Sequence, residues 1–247
     1  MKRARQRLIK SAAWEIRYHT RLSFFDRAGS ALQPFLEESN RELFSNWTYS
    51  LRPPQMELKN PTTFTRFVVG PQQAAATTEN LDVLRDYGAF CGRALAFLDS
   101  VADRLGVASA VRLGHRIQYL VETRGEFQPF AQAIARQLTT LGHFGSTASD
   151  LTVIWISEND GTKSRWAVAP LAIREFPAWF QSTQPPPGAS GEEKRFYPKV
   201  SLVIDVDVSR EESGEGVPLS DMRSFFEGAF RMADEQALAL ADRLREE

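Results

Sequence analysis

Cysteine and histidine are scarce in this 247-residue chain, and the scarcity excludes several kinds of site. Cys91 is the only cysteine, so no disulfide can form within the chain. The three histidines, His19, His115 and His143, stand far apart, and none has a second metal-ligating side chain at the usual spacing. The sequence also contains no phosphate-binding loop and no nucleophile elbow. We therefore expect a protein that is not an enzyme and that uses no cofactor.

Long apolar runs are missing as well. No run reaches the roughly 18 residues of a membrane span, and the basic N-terminus lacks the apolar core of a signal peptide. A single cysteine fits a reducing compartment. The composition, 43% hydrophobic and 25% charged, is that of an ordinary globular protein. We expect a cytoplasmic protein with no membrane partner.

Charge is nearly balanced overall but unevenly distributed along the chain. Residues 1–52 carry ten Lys or Arg against five Asp or Glu, whereas residues 200–247 carry five against twelve. Residues 1–11 read as a basic arm that could contact nucleic acid, through Lys2, Arg3, Arg5, Arg7 and Lys10. The alternative is that the two ends of the chain lie side by side and neutralise each other.

A repeated pattern indicates the architecture. Ile16-Arg17-Tyr18 followed by Gln33-Pro34-Phe35 recurs as Ile117-Gln118-Tyr119 followed by Gln128-Pro129-Phe130. We interpret the chain as two tandem β-α-β-β-β-α units, at 12–106 and 107–247, the second with a Pro/Gly-rich insertion at 181–194. The predicted fold class is α+β, with antiparallel sheets that carry helices on one face.

Alternating and helical spacing predict the elements of each unit. The first unit is predicted to contain a strand at 13–22, a helix that begins at Pro34 and buries Phe35, Leu36, Leu43 and Phe44, strands at 47–52, 55–59 and 64–69, and a long helix over 84–105. The second is predicted to contain strands at 111–122, 151–157, 165–173 and 200–208, a helix over 129–141, a hairpin turn at Asp160-Gly161, and a long terminal helix.

Arginines occupy matching positions in the first strand of each unit. Arg17 and Arg21 share one strand face, and Arg112 and Arg116 share the corresponding face of the repeat. These four side chains could line a basic surface that binds phosphate or carboxylate groups. The alternative is that they pair across strands with Glu15, Glu122, Asp205 or Asp207.

Asp205 and Asp207 form the one paired-acid motif that we considered as a metal site. Period-two geometry puts both carboxylates on one face of a strand, while Ile204, Val206 and Val208 face the core. Such a pair could hold Mg²⁺. The alternative, which the absence of a third ligand favours, is a polar strand face whose acids pair with arginines.

Aromatic side chains suggest where a protein partner would bind. Of the five tryptophans, Trp14 and Trp155 fit core positions, and only Trp179 is expected to be exposed. It stands between Phe176 and Phe180, beside the proline-rich insertion. An exposed aromatic cluster of this kind is typical of a protein-contact patch.

Two segments resemble a sporadically distributed, functionally uncharacterised bacterial family. Arg112-Leu113-Gly114-His115-Arg116-Ile117 is similar to that family's Arg-x-Gly-x-Arg-Tyr strand, although Ile117 replaces the usual aromatic residue. The segment 202–208, followed by a long helix, is similar to its closing segment. The resemblance covers mainly residues 110–247 and implies a bacterial protein carried on mobile or defence-related loci, with no known activity.

These observations favour a non-enzymatic protein-interaction module, a subunit or adaptor of a multi-protein system that binds another subunit or a copy of itself. The alternatives are a nucleic-acid-binding protein that uses the basic strand face and arm, and a metal-dependent enzyme built on Asp205 and Asp207.

Overall fold

The computed structural model of the chain describes residues 7–36, 44, 46–61, 64–122, 127–138, 151–172, 200–212, 214 and 216–244. The strands are β1 (Arg7–Arg17), β2 (Asn46–Leu51), β3 (Pro54–Asn60), β4 (Thr65–Val69), β5 (Gln73–Thr78), β6 (Ser109–Ala110), β7 (Arg112–Glu122), β8 (Val153–Asn159), β9 (Thr162–Ala172), β10 (Val200–Glu211) and β11 (Val217–Pro218). The helices are α1 (Phe24–Leu32), α2 (Leu81–Arg85), α3 (Tyr87–Leu105), α4 (Phe127–Leu138) and α5 (Met222–Arg243). None of these helices combines the length and the apolar character that crossing a membrane requires.

Nine of these strands form one antiparallel sheet, in the order β2-β3-β4-β5-β1-β7-β10-β9-β8. The remaining two, β6 and β11, form a separate short ladder. The strands that open the two predicted units, β1 and β7, pair with each other at the centre, with Trp14 opposite His115 and Arg17 opposite Arg112. The two units therefore share one continuous sheet, of which β2 and β8 are the outer described strands.

The two halves of the sheet repeat one topology. In each half the last sheet strand returns to pair with the first: β5 pairs with β1, and β10 pairs with β7. Among its described residues, and apart from the two-residue strands β6 and β11, the second half has the predicted order β-α-β-β-β-α. The first half contains one strand more than predicted, the alanine-rich β5. Pairing of the last sheet strand with the first is what the interpretation of two tandem units predicts for each half. That the two halves arose by duplication stays a prediction.

The turn between β8 and β9 confirms the predicted hairpin. Asp160 has a φ of 49° and Gly161 a φ of 71°, so both residues adopt the left-handed conformation of a two-residue primed turn. Asp-Gly is among the sequences that tolerate this pair of angles best. The turn therefore fixes the register of the outer hairpin.

No α-helix begins at Pro34 in the described residues, contrary to the prediction. The structure has α1 before that proline, and residues Gln33–Phe35 form a 3-10 turn that ends it. Proline lacks a backbone N–H and disfavours a helical residue before it, so a Gln-Pro pair can close a helix as well as open one. Leu36, predicted to be buried, is largely exposed, whereas Phe35 and Phe44 are buried as predicted. Leu43 lies outside the described residues.

The first strand begins earlier than predicted. β1 runs over Arg7–Arg17, so residues 7–11 of the predicted basic arm belong to the sheet. Lys10 lies 3.7 Å from the carboxylate of Glu79. Residues 1–6, which include Lys2, Arg3 and Arg5, lie outside the described part of the chain.

Helices cover one face of the sheet, and the core lies between the two layers. One cluster joins Ile16 of β1 and Tyr18, which follows β1, to the buried side of α3, and the other joins Ile117 and Tyr119 of β7 to the alanines of α5. All four residues are buried, as the tandem-unit interpretation predicts. α3 begins where the Asp86 carboxylate accepts a hydrogen bond from the Ala89 N–H, at 3.1 Å. We call the opposite face of the sheet the outer face.

Candidate interaction surfaces

Charged side chains of β1, β7 and β10 meet on the outer face of the central strands. Their positions follow from the period-two alternation that sends Leu113, His115 and Ile117 into the core. The outer-face set comprises Glu15, Arg17, Arg112, Arg116, Asp205, Asp207 and Glu211. We call these seven residues the central ionic network. It contains four carboxylates and three guanidinium groups.

Arg112 is the hub of the central ionic network. Its Nη1 lies 2.7 Å from Glu15 Oε1, its Nη2 lies 3.4 Å from Asp207 Oδ1, and its Nε lies 3.1 Å from Glu211 Oε1. Glu15 also accepts a hydrogen bond from the Nε of Arg17, at 2.7 Å. The Arg112 side chain is only 18% exposed. Acids on both neighbouring strands offset its positive charge.

Gly114 makes the position of Arg112 possible. A Cβ at residue 114 would lie 2.8 Å from Arg112 Nη1 and 3.2 Å from Cζ. The guanidinium therefore lies directly over the glycine, between Glu15 on one neighbouring strand and Asp207 on the other. This contact gives a physical reason for the Arg-x-Gly-x-Arg spacing: arginines two residues either side of a glycine share one strand face, and the glycine leaves room for one of them.

Gly114→Ala is expected to lower the free energy of unfolding by about 1 kcal/mol, because the Arg112 guanidinium must shift away from the new methyl group and its contacts with the carboxylates weaken. In an Arg112→Ala background the same change should be neutral or slightly stabilising, since alanine is favoured over glycine in a strand. Urea denaturation of the four proteins of this cycle measures the coupling. Equal costs in both backgrounds would show that the glycine is needed for another reason.

Arg116 and Asp205 form a two-point pair beside the hub. Arg116 Nε lies 2.9 Å from Asp205 Oδ1, and its Nη2 lies 2.5 Å from Oδ2. Asp205 is 8% exposed, and its hydrogen bonds with Arg116 raise the pKa of the guanidinium. The prediction that Asp205 and Asp207 share a face while Ile204, Val206 and Val208 face the core is confirmed by the burial of the three apolar residues.

The structure uses these acids as arginine partners. Asp205 pairs with Arg116 and Asp207 with Arg112. Among the described residues, no group of three or more His, Cys, Asp or Glu side chains is arranged to hold a metal ion.

Only part of the predicted basic surface comes together. Arg17, Arg112 and Arg116 share the outer face as expected, but all three pair with acids. Arg112 and Arg116 pair with acids on neighbouring strands, which is the cross-strand alternative, whereas Arg17 pairs with Glu15 of its own strand. Arg21 lies beyond the end of β1, where its backbone N–H donates to the Pro71 carbonyl, so it does not join them. Arg7 is the first residue of β1, and its side chain is outside the described set.

Behind the network, on the core side of β7, lies a buried histidine. His115 Nδ1 lies 2.8 Å from the Ala13 carbonyl oxygen, and Nε2 lies 2.6 Å from the Tyr87 hydroxyl. A carbonyl only accepts, so Nδ1 carries the proton and Nε2 accepts from the tyrosine. The ring also stacks on Trp14, with centroids 4.9 Å apart. His115 thus ties α3 to the two central strands.

Burial sets the ionisation of this cluster. Burial lowers the pKa of His115 to about 4, and it raises the pKa of Tyr87 well above its ordinary value. Cys91, the lone cysteine, is buried on α3, and its burial raises the pKa of the thiol. Neutral groups that are hydrogen-bonded to one another are typical of a structural core.

An exposed aromatic row lies on the outer strand β2. Trp47 is 62% exposed, Tyr49 is 47% exposed and Leu51 is 69% exposed, and alternation puts all three on one face of the strand. The expectation that Trp179 alone among the tryptophans is exposed is therefore wrong, although Trp14 and Trp166 are buried. Phe176, Trp179 and Phe180 lie outside the described residues, as does the insertion at 181–194.

The edge formed by β2 lacks the features that protect outer strands. Its sequence, Asn-Trp-Thr-Tyr-Ser-Leu, contains no charge and no proline, whereas natural proteins usually place lysine, proline or a bulge on an exposed edge. On one side β2 pairs with β3, and no described strand pairs with its other side. Thr48 anchors the strand by donating to Glu57 Oε2, at 3.2 Å. The opposite outer strand, β8, also exposes Ile154 and Ile156, but it contains the charged residue Glu158.

Comparison with known proteins gives no match to any protein-family model and none to any curated protein. The resemblance to an uncharacterised bacterial family, and the defence-related setting that it implies, stay predictions.

Proposed function

We propose that the chain is a non-enzymatic protein-interaction module, a subunit or adaptor that binds an extended segment of another polypeptide along the edge of β2 with which no described strand pairs. The observation that carries the proposal is the row formed by Trp47, Tyr49 and Leu51 on an uncharged outer strand. Backbone groups of a free edge supply affinity to an added strand, and alternate side chains supply specificity. Tryptophan and tyrosine also contribute strongly to binding when a partner covers them.

The other charged and polar clusters fit this function because they are largely satisfied within the chain. The central ionic network neutralises its own arginines, and the His115 cluster is hydrogen-bonded in the core. Nucleic-acid binding through Arg17, Arg112, Arg116 and the N-terminal arm is the second candidate, and it has less support because the three arginines share their face with four carboxylates. A metal-dependent enzyme built on Asp205 and Asp207 would have to break both arginine pairs.

Trp47→Lys is expected to abolish association with a protein partner, because a cation on the row blocks burial of the aromatic side chains. Light scattering coupled to size-exclusion chromatography measures association, with the chain alone and co-expressed with the products of neighbouring genes. Leu22→Lys is the matched control: Leu22 is 76% exposed but lies in a turn before α1, away from the sheet edge.

Two outcomes would contradict the proposal. One is a chain that stays monomeric at every concentration and copurifies with nothing. The other is an assembly that Trp47→Lys and Leu22→Lys affect equally, since the partner would then bind away from β2.

A further inference from the structure

We infer that the occupant of the β2 edge is the same strand of a second copy of this chain, paired antiparallel about a two-fold axis at Tyr49. The inference rests on the proposed function and names the partner. A two-fold interface brings the same surface together from both copies, so the surface must be complementary to itself. Three properties of β2 meet that requirement.

The first property is the alternation of the side chains. In an antiparallel pair, residues directly opposite each other point to the same face of the sheet. An axis at Tyr49 places Tyr49 opposite its own copy, Trp47 opposite Leu51, and Thr48 opposite Ser50. Apolar residues then face only apolar residues, and hydroxyls face only hydroxyls. An axis at Thr48 or at Ser50 would also keep the two faces apart, but it would leave Leu51 or Trp47, respectively, opposite a residue outside β2.

The second property is the absence of charge. Self-pairing brings the residues around the axis close to their own copies, so a charged residue there would meet a like charge. The sequence of β2 contains none. The other outer strand contains Glu158, and its exposed isoleucines, Ile154 and Ile156, lie on the outer face.

The third property is that the apolar side chains of β2 are exposed at the edge of the sheet, where a second strand would pair. Trp47, Tyr49 and Leu51 lie on the helix side of the sheet, the side to which Leu58 points, because Trp47 is opposite Leu58 and Tyr49 is opposite Met56. Leu58 is fully buried beneath the helix layer, whereas the β2 row beyond it is exposed. A second copy would place its own row beside this one, on the same face of the sheet. Pairing would extend the nine-stranded sheet across the axis into a second nine-stranded sheet.

The register leads to a charge-complementation experiment. Tyr49→Lys and Tyr49→Glu should each weaken the dimer, raising its Kd on the order of tenfold or more, because like charges then meet at the axis. An equimolar mixture of the two variants should restore a dimer, since lysine then faces glutamate. Leu22→Lys and Leu22→Glu, made and mixed in the same way, should leave the wild-type Kd unchanged. Sedimentation over a concentration series up to roughly 100 μM suits an interface of modest area.

The outcomes separate this inference from the proposed function. Dimers of the wild-type chain that both single variants weaken and the mixture restores support the two-fold pairing. Dimers insensitive to residue 49, or variants that the mixture does not rescue, overturn it. Open-ended filaments also overturn it, because they indicate pairing of β2 with a different edge. A wild-type monomer that binds another protein, with loss of binding in Trp47→Lys, overturns the inference and leaves the proposed function standing.

Discussion

Replacing Ile117 with alanine is expected to lower the free energy of unfolding by about 2–5 kcal/mol, from lost burial and the cavity that remains. Ile117 is 1% exposed and contacts the core beneath α4 and α5. Ile16→Ala should have a cost in the same range, because Ile16 is fully buried at the corresponding place in the first half, beneath α3. Urea denaturation measures both changes, and two similar costs fit the tandem-unit interpretation.

Arg17→Ala is the matched control on the opposite face of the same strand. The Arg17 side chain is 54% exposed and pairs with Glu15, so its loss should cost less than about 1 kcal/mol. Arg116→Ala should cost more than Arg17→Ala, because it leaves the buried carboxylate of Asp205 without its two-point partner. If Arg17→Ala lowers the free energy of unfolding as much as Ile16→Ala does, the outer face contributes far more to stability than its exposure indicates.

Alternation predicted the faces of the central strands because that property is local. One face of β1, β7 and β10 is apolar, and the charged residues of the central ionic network alternate with it. The contacts of the arginines on the polar face depend on strand order and register. Neither property can be derived from the sequence of a single strand. Arg112 lies beside Glu15 and Asp207 only because β7 pairs with β1 on one side and β10 on the other.

The elements that the sequence did not predict are those that tertiary context decides. β5 contains three alanines, which have low strand propensity, and it forms a strand between β4 and β1. α1 precedes Pro34 because its buried residues, Phe24, Ala28, Ala31 and Leu32, have helical spacing that ends there. The exposure of Trp47 follows from the position of β2 at the end of the sheet.

The stability of the wild-type chain is expected to fall as the pH drops from about 6.5 towards 4, through protonation of His115. Burial lowers the pKa of this imidazole from 6.5 to about 4 in the folded protein. Between these values the unfolded chain binds a proton that the folded chain does not, so acid favours unfolding. The contribution is complete above pH 6.5 and is lost as the pH falls through the folded value. This difference between the pKa values of the unfolded and folded states corresponds to about 3 kcal/mol in the free energy of unfolding.

His115→Gln should remove this contribution, because glutamine does not titrate. The variant is expected to be less stable than the wild type at pH 7, since it loses the packing of the ring on Trp14, but its stability should fall less steeply with acid. Tyr87→Phe is the matched control: it removes the hydroxyl that donates to Nε2 and keeps the imidazole buried, so it should lower stability while retaining the steep pH dependence. Carboxylates elsewhere titrate in all three proteins, so the difference between the curves isolates His115. Urea denaturation from pH 4.5 to 7.5 gives the free energy of unfolding of each protein as a function of pH. If the His115→Gln and wild-type curves run parallel, the histidine is accessible to protons in the folded state. It would then not tie α3 to the central strands in the way the structure indicates.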